Sequence, residues 1–413
     1  MKPTGAIPPG YGADARGRLV IGGHDVDSLI ATTGDTPLFA YDLAMVRARI
    51  ARLRAAMPAR LAIHYAIKAN PYPPLLAAMI ELVDGFDVAS EGELATAIHA
   101  GMAGRQISLA GPGKRSRELE AAIRAGATIN LESEREADRA LSAAEALGLT
   151  PRLAVRVNPD FELRGSGMRM GGGAKPFGID AARVVPLVQR LVGAGADYRG
   201  LHLFAGSQSL DGAAIMETQA NTVALARQID AESGTRAPLV NLGGGFGIPY
   251  FSGDTALDVE AIGAALAGEI EGEAERYAIE LGRWIVAEAG VYLARIVDRK
   301  DSHGKTFLVT DGGLHHQLAA SGNFGTVVRR NYPVAVATRF AAPPGEEVSV
   351  VGCLCTPLDR LADDVLLPPA DVGDVIAVFL AGAYGATASP AGFLGHAPAR
   401  EIAVSGPDDA VLT

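Results

Sequence analysis

A single lysine closes an apolar, alternating run. In His64-Tyr65-Ala66-Ile67-Lys68-Ala69-Asn70-Pro71 the preceding Leu61 and Ile63 continue the apolar positions of Tyr65 and Ile67, and Asn70-Pro71 stops the run. A lysine at a strand end above a buried interior is expected to be poorly hydrated, and its amine then loses a proton more easily. That is the state in which a lysine forms a Schiff base with an aldehyde. A glycine run, Gly243-Gly244-Gly245-Phe246-Gly247, ends another apolar stretch. Successive glycines let backbone N–H groups converge on a phosphate, although alone such a run is equally a tight turn. A third run carries Glu280-Leu281-Gly282-Arg283. Its carboxylate is either paired with Arg283 or the partner of a protonated ring nitrogen. Lysine, phosphate nest (with Ser207 and Arg283) and carboxylate together suggest pyridoxal phosphate, whose protonated ring is an electron sink for a carbanion.

The elements that must position these groups are legible as a rhythm. Short β-rich runs occur at 61–69, 85–90, 107–111, 128–133, 152–158, 198–206, 239–245 and 276–286. Stretches with apolar residues at helical spacing lie between them, such as 74–82, 91–100, 116–125 and 134–147. Strands alternating with helices imply a parallel sheet, and eight such units match a closed (β/α)8 barrel better than an open doubly wound sheet. Catalytic groups of a barrel sit at the C-terminal strand ends. Those ends place Asp87, Arg156, His202 with Phe204 and Ser207, and Gly243 to Gly245 beside Lys68 and Glu280. Beyond about residue 288 short β-like runs follow one another without helices, which predicts a separate antiparallel β domain. The expected division is 1–39 as N-terminal strands joining that domain (18–21 and 38–41), 40–288 as the barrel, and 289–413 as the β domain. The loop 165–173, glycine-rich and after the fifth run, is a candidate lid.

Composition narrows the partners. The 413 residues are 48% hydrophobic and 20% charged, with a formal net charge of -10. No basic block is present to neutralise phosphates, so neither nucleic acid nor an anionic membrane is an expected partner. No apolar run is long enough for a membrane helix, the start lacks a signal-peptide core, and the two cysteines, Cys353 and Cys355, form no disulfide framework. A cytoplasmic protein is expected. Adjacent His315 and His316 point to opposite faces if extended, and Cys-x-Cys has no partner cluster, so no metal is expected.

Taken together, these segments resemble the fold-type-III pyridoxal phosphate decarboxylases, which include the diaminopimelate, ornithine and arginine decarboxylases. The resemblance runs from about Leu38 to Ser389. Tyr65-Ala66-Ile67-Lys68-Ala69-Asn70 is similar to the family's Schiff-base motif and Glu280-Leu281-Gly282-Arg283 to its Glu-Pro-Gly-Arg signature. Cys355-Thr356-Pro357-Leu358-Asp359 resembles the Cys-x-x-x-Asp segment, and Gly382-Ala383-Tyr384-Gly385 the Gly-Ala-Tyr motif. The resemblance implies α-decarboxylation of an amino acid, with Lys68 as the Schiff-base residue, Glu280 at the pyridine nitrogen, and Cys355 as the acid that reprotonates the α carbon. It implies phosphate contacts from Ser207, the glycine loop, Arg283 and Tyr384, with Gly282 beside them. It also implies an obligate homodimer with shared active sites, because the cysteine comes from the other subunit.

The departures from the family pattern bear on the substrate. Phe204 stands where diaminopimelate decarboxylases have a ring-stacking histidine, and His202 lies two residues earlier. Thr356 follows the cysteine where the family places an acid that grips a distal ammonium. A neutral hydroxyl forfeits a charge-assisted pair worth on the order of a few kcal/mol, so a substrate tail that is not a simple ammonium is expected. Asp359 matches a later family acid, and Arg329, Asn331 and Tyr332 are further candidates for substrate binding. The set resembles a divergent branch associated with exopolysaccharide and biosynthetic gene clusters, including enzymes for acidic or carrier-tethered amino acids. Arg329 and Arg330 would suit such a tail, or form only a solvated basic pair. Diaminopimelate decarboxylase is the alternative. A same-fold racemase is disfavoured by Glu280 and Cys355, and a non-catalytic relative by retention of the lysine and cysteine.

Overall fold

Eight parallel strands close on one another in chain order: β1 (Ala62–Ala66), β2 (Gly85–Val88), β3 (Ile107–Leu109), β4 (Thr128–Leu131), β5 (Arg152–Asn158), β6 (Asp197–Leu203), β7 (Leu239–Asn241) and β8 (Tyr277–Leu281), with β8 pairing back to β1. This computed structural model describes residues 1–163, 165, 167–321 and 330–406. All eight predicted runs are barrel strands. They are short and buried on both faces, as a sheet wrapped by helices requires. Helix starts follow local chemistry: Ser90, Ser133, Asp211 and Asp258 each accept a backbone N–H of the first turn. Gly126, Gly148 and Gly234 end their helices in the left-handed conformation.

The N-terminal strand ends enclose a cavity of about 190 Å³, lined by polar groups that include His64, Asp84, Arg105, Asn130, Arg152 and Asn241.

The chain divides into two compact units. The barrel unit comprises Ile50–Ile248 and Ala256–Gly282, and the β unit Met1–Arg49, Pro249–Thr255 and Arg283–Thr413. Residues 40–49, 249–255 and 283–288 therefore group with the β unit, a finer division than cuts at 39 and 288. The centre of the β unit is the strand Gly290–Ser302, which pairs antiparallel with Leu38–Asp42, Lys305–Thr310 and Val375–Phe379. Two pairings are parallel: Lys305–Thr310 with Glu346–Val351, and Leu38–Asp42 with Arg400–Val404. The sheet is thus mixed rather than purely antiparallel. Of the two N-terminal segments expected to join it, only Leu38–Asp42 does. Leu19–Ile21 instead pairs with Gly12–Ala13 and His24–Asp25, because Gly22 and Gly23, at φ 55° and 86°, turn the chain straight back. Among the described residues no helix is long and apolar enough to cross a membrane.

Candidate active site

β8 brings Glu280 into register with His64 of β1, and β2 brings Asp87 into register with Ala66. Glu280 is 6% exposed. Its Oε2 accepts from Asn241 Nδ2 at 3.0 Å and lies 2.9 Å from His202 Nε2. Asn241 Oδ1 accepts the Gly243 N–H at 2.9 Å, and the Glu280 N–H donates to the Gly243 carbonyl. One asparagine therefore ties the buried carboxylate to the glycine loop. Burial opposes ionisation of Glu280, but the charges and hydrogen bond supplied by His202, with Lys68 and Arg156, outweigh it and hold the carboxyl down to about 2. Asp87 moves the other way: burial, then the charge of Glu280, pushes its carboxyl up. His64 Nδ1 stands 3.5 Å from Asp87 Oδ2, an ion-pair separation. Burial would lower the His64 imidazole, yet Asp87 and Glu280 raise it. Two neighbouring carboxylates are thus shifted in opposite directions by one shared environment.

The glycine loop follows β7. Gly243 and Gly245 take φ of 71° and 92°, the left-handed region. A Cβ on Gly243 would run into the Leu203 carbonyl and Phe204, and one on Gly244 into the Glu280 carbonyl oxygen. Ser207 lies on the neighbouring segment, where Gly206 and Ser207 pair antiparallel with Arg169 and Met168. The candidate lid is thus tied to the Ser207 segment at 168–169, while Ser166 within it lies outside the described residues.

Lys68 occupies a short 3-10 turn, Ile67–Ala69, just past β1. Its side chain is exposed, which corrects the expectation of a poorly hydrated amine. The apolar residues Ile63 and Tyr65 lie on the face of β1 opposite His64, which lines the barrel interior, and the turn places the lysine past the strand end. Its Nζ lies 5.3 Å from the centre of the Phe204 ring, within range of a cation–π contact. Gly282 has a packing reason: a Cβ there would press on Ala69 of the lysine turn. Arg156 is buried, with Nη1 2.9 Å from Glu132 Oε1 and its guanidinium against Phe177. Lys114 and Glu136, 3.1 Å apart, form a second buried pair. His64, Asn241 and Glu132 were absent from the residues singled out in the sequence. The first two sit inside apolar runs, and Glu132 in Glu132-Ser133-Glu134 reads as a helix start.

The β unit holds the remaining predicted residues. The Arg283 guanidinium lies 4.8 Å from the Tyr384 ring centre and its Nη1 is 3.5 Å from the Tyr250 hydroxyl. Tyr332 stacks on Tyr250, with ring centres 4.9 Å apart. Asn331 is buried and both its amide atoms are used, Nδ2 donating to the Asp363 carbonyl and Oδ1 accepting the Asp363 N–H. Asp359 is likewise committed: Oδ1 accepts from Leu314 N–H at 2.7 Å and Oδ2 from Leu354 N–H at 2.8 Å. Both residues, expected at the substrate, instead fasten backbone within this unit. Cys355 is exposed and Thr356 half-buried on the loop that Asp359 holds. Arg330 is exposed, over Phe251 at 3.9 Å, and Arg329 lies outside the described residues.

A parallel (β/α)8 barrel with a buried carboxylate, a glycine cradle and a lysine past the first strand defines a pyridoxal phosphate enzyme. The family model for the pyridoxal-dependent decarboxylase pyridoxal binding domain matches residues 43–295, and the chain belongs to this family of decarboxylases. It is 36% identical over 381 residues to the L-glutamyl-[BtrI acyl-carrier protein] decarboxylase of Niallia circulans, covering 89% of this chain and 88% of that one. It is 31% identical over 391 residues to the diaminopimelate decarboxylase of Methanothermobacter thermautotrophicus, covering 91% and 88%. The crystal structure of Helicobacter pylori diaminopimelate decarboxylase complexed with L-lysine superposes with a TM-score of 0.81 at 26% identity, over 94% of this chain and 95% of that one. The protein is accordingly a pyridoxal phosphate-dependent amino-acid decarboxylase.

The residues present fit that cofactor. The loop requires glycine, since a Cβ at Gly243 or Gly244 would run into backbone at the ends of β6 or β8. Asp87 Oδ1 and Oδ2 and His202 Nδ1 are buried without hydrogen-bond partners among the described residues, leaving polar capacity inside the barrel. Gly244→Ala is therefore expected to lose bound cofactor. The intruding methyl meets backbone rather than a movable side chain, so the cost falls toward the top of the roughly 1–3 kcal/mol of overpacking. Cofactor retention after gel filtration and a urea melt check it.

Proposed function

We propose that the protein decarboxylates an acidic aminoacyl group, a glutamyl unit carried on an acyl-carrier protein, rather than a free diamino acid. The observation that carries this reading is the fate of the acids around Thr356. A distal ammonium needs a carboxylate to pair with. Thr356 has none, and both oxygens of Asp359 are occupied by the N–H groups of Leu314 and Leu354. Arg330, exposed over Phe251 and 3.8 Å from Asp254, would have to turn from that carboxylate to meet an acidic or phosphopantetheine-bearing tail. The relative from Niallia circulans, which acts on a carrier-linked glutamyl group, supports the same direction.

In this reading pyridoxal phosphate, when bound, supplies the electron sink that loss of CO2 requires. Lys68 offers the amine that would hold its aldehyde. The Gly243–Gly245 cradle, Ser207, Arg283 and Tyr384 would hold its phosphate, and Phe204 would cover its ring. Glu280, ionised and fixed by His202 and Asn241, would keep a proton on the ring nitrogen. Cys355, exposed on its own chain, would return a proton to the α carbon in the site of a second copy, which makes the working unit a cytoplasmic homodimer.

The test is a substrate panel followed by CO2 release: glutamyl thioester of a carrier protein, free glutamate, meso-diaminopimelate, lysine and ornithine. The tethered glutamyl substrate is expected to exceed every diamino acid in kcat/KM by about 100-fold, the weight of one charge-assisted pair. Brisk turnover of meso-diaminopimelate would overturn the reading in favour of diaminopimelate decarboxylase, the activity of the relative from Methanothermobacter.

A further inference from the structure

Two adjacent histidines in the β unit behave differently. Residues 314–316 form a turn, not an extended segment, so the rings of His315 and His316 lie on the same side with centres 3.8 Å apart. His316 is satisfied at both nitrogens: Nδ1 meets the Tyr292 hydroxyl at 3.0 Å and Nε2 the Ala397 carbonyl at 2.8 Å. His315 is 0% exposed, and neither ring nitrogen has a hydrogen-bond partner among the described residues. A buried imidazole with both nitrogens idle is costly unless something else engages it. What it faces are two further donors. Cys353 Sγ and a ring nitrogen of His396 complete a set in which the three ligand atoms lie within 4.8 Å of one another. Cys353 Sγ stands 4.0 Å from His396 Nδ1.

We propose that His315, Cys353 and His396 bind a divalent zinc-like cation in the β unit. Tetrahedral zinc, with Zn–N near 2.0 Å and Zn–S near 2.3 Å, sets its ligand atoms about 3.5 Å apart. Each donor must therefore close by on the order of an ångström or less. The segment that must move is already steered: His316 fastens Ala397, the neighbour of His396, while His396 itself is exposed. Two imidazoles and one thiolate are borderline-soft donors that favour zinc or cobalt over magnesium or calcium, and the three leave a fourth position for water. The bound ion would staple three segments that the sequence separates widely: the 314–316 turn, the 352–359 loop and the stretch before Arg400–Val404. The site does not depend on the substrate assigned above.

Cobalt(II) is the probe. Added to chelator-treated, cofactor-loaded protein, it is expected to bind at one equivalent per chain, with the intense visible bands of a tetrahedral site and a thiolate charge-transfer band. Cys353→Ser should remove the charge-transfer band and weaken binding at least 10-fold. His396→Gln, at an exposed position with no burden on folding, should also weaken binding at least 10-fold. Zinc should displace the cobalt signal stoichiometrically. Absence of a tetrahedral spectrum, or uptake unchanged in both variants, would overturn the site.

Discussion

Lys68→Ala is expected to abolish decarboxylation, by at least about three orders of magnitude, while leaving the protein folded. The lysine is placed by the Ile67–Ala69 turn at the end of β1, and Gly282 lets that turn pack closely against the end of β8. Its side chain is exposed, with the Phe204 ring in range of its ammonium, so its removal should change stability by no more than about 1 kcal/mol. Activity and folding are therefore separable in this variant. The visible absorption of lysine-bound cofactor should vanish as well. Lys68→Arg should not rescue either property, because a guanidinium stays protonated and cannot add to an aldehyde. An unchanged spectrum in Lys68→Ala would remove the assignment of Lys68.

Glu280→Gln should lower kcat roughly 10²- to 10³-fold, the range for removing one preorganised electrostatic partner. The amide keeps the shape and can still contact Asn241, but it carries no charge for a protonated ring nitrogen. The same substitution has a pH signature. Glu280 titrates at about 2 in the folded protein against an ordinary 4.5. Between those values the unfolded chain binds the additional proton, so the ionised carboxylate contributes stability that is complete above about 4.5 and is lost as pH falls toward 2. Urea midpoints measured down this range should fall more steeply for the native protein than for Glu280→Gln. Parallel slopes would mean that the carboxylate is not held ionised by His202, Lys68 and Arg156.

Much of the barrel could be read in the chain because each strand is an apolar run closed by a turn signal, and several helices start on Ser or Asp. Lys68, Glu280 and the glycine loop stood out because they terminate such runs. His64 and Asn241 did not, since a polar residue within a short run looks like an interruption until closure of the barrel places it against a carboxylate. Lys68 was read as desolvated from the apolar run before it, but backbone geometry, a 3-10 turn that periodicity does not encode, decides its exposure. In the β unit Val334–Val336, Arg360–Leu367 and Arg400–Val404 escaped notice. Val334–Val336 and Arg400–Val404 pair with strands remote in sequence, whereas Arg360–Leu367 pairs with nearby Glu346–Val351 but carries Asp363 and Asp364 in mid-strand. The same remoteness hid the commitment of Asp359 and Asn331 to backbone, and the meeting of His315 with Cys353 and His396.

The polar cavity beneath the barrel gives the buried carboxylates a second shore. His64 and Asn241 line it, and the same two residues face Asp87 and Glu280. At about 190 Å³ it has room for several waters. Water on that side therefore reaches His64 and Asn241, the partners of the two carboxylates, while the carboxylates themselves stay buried behind them.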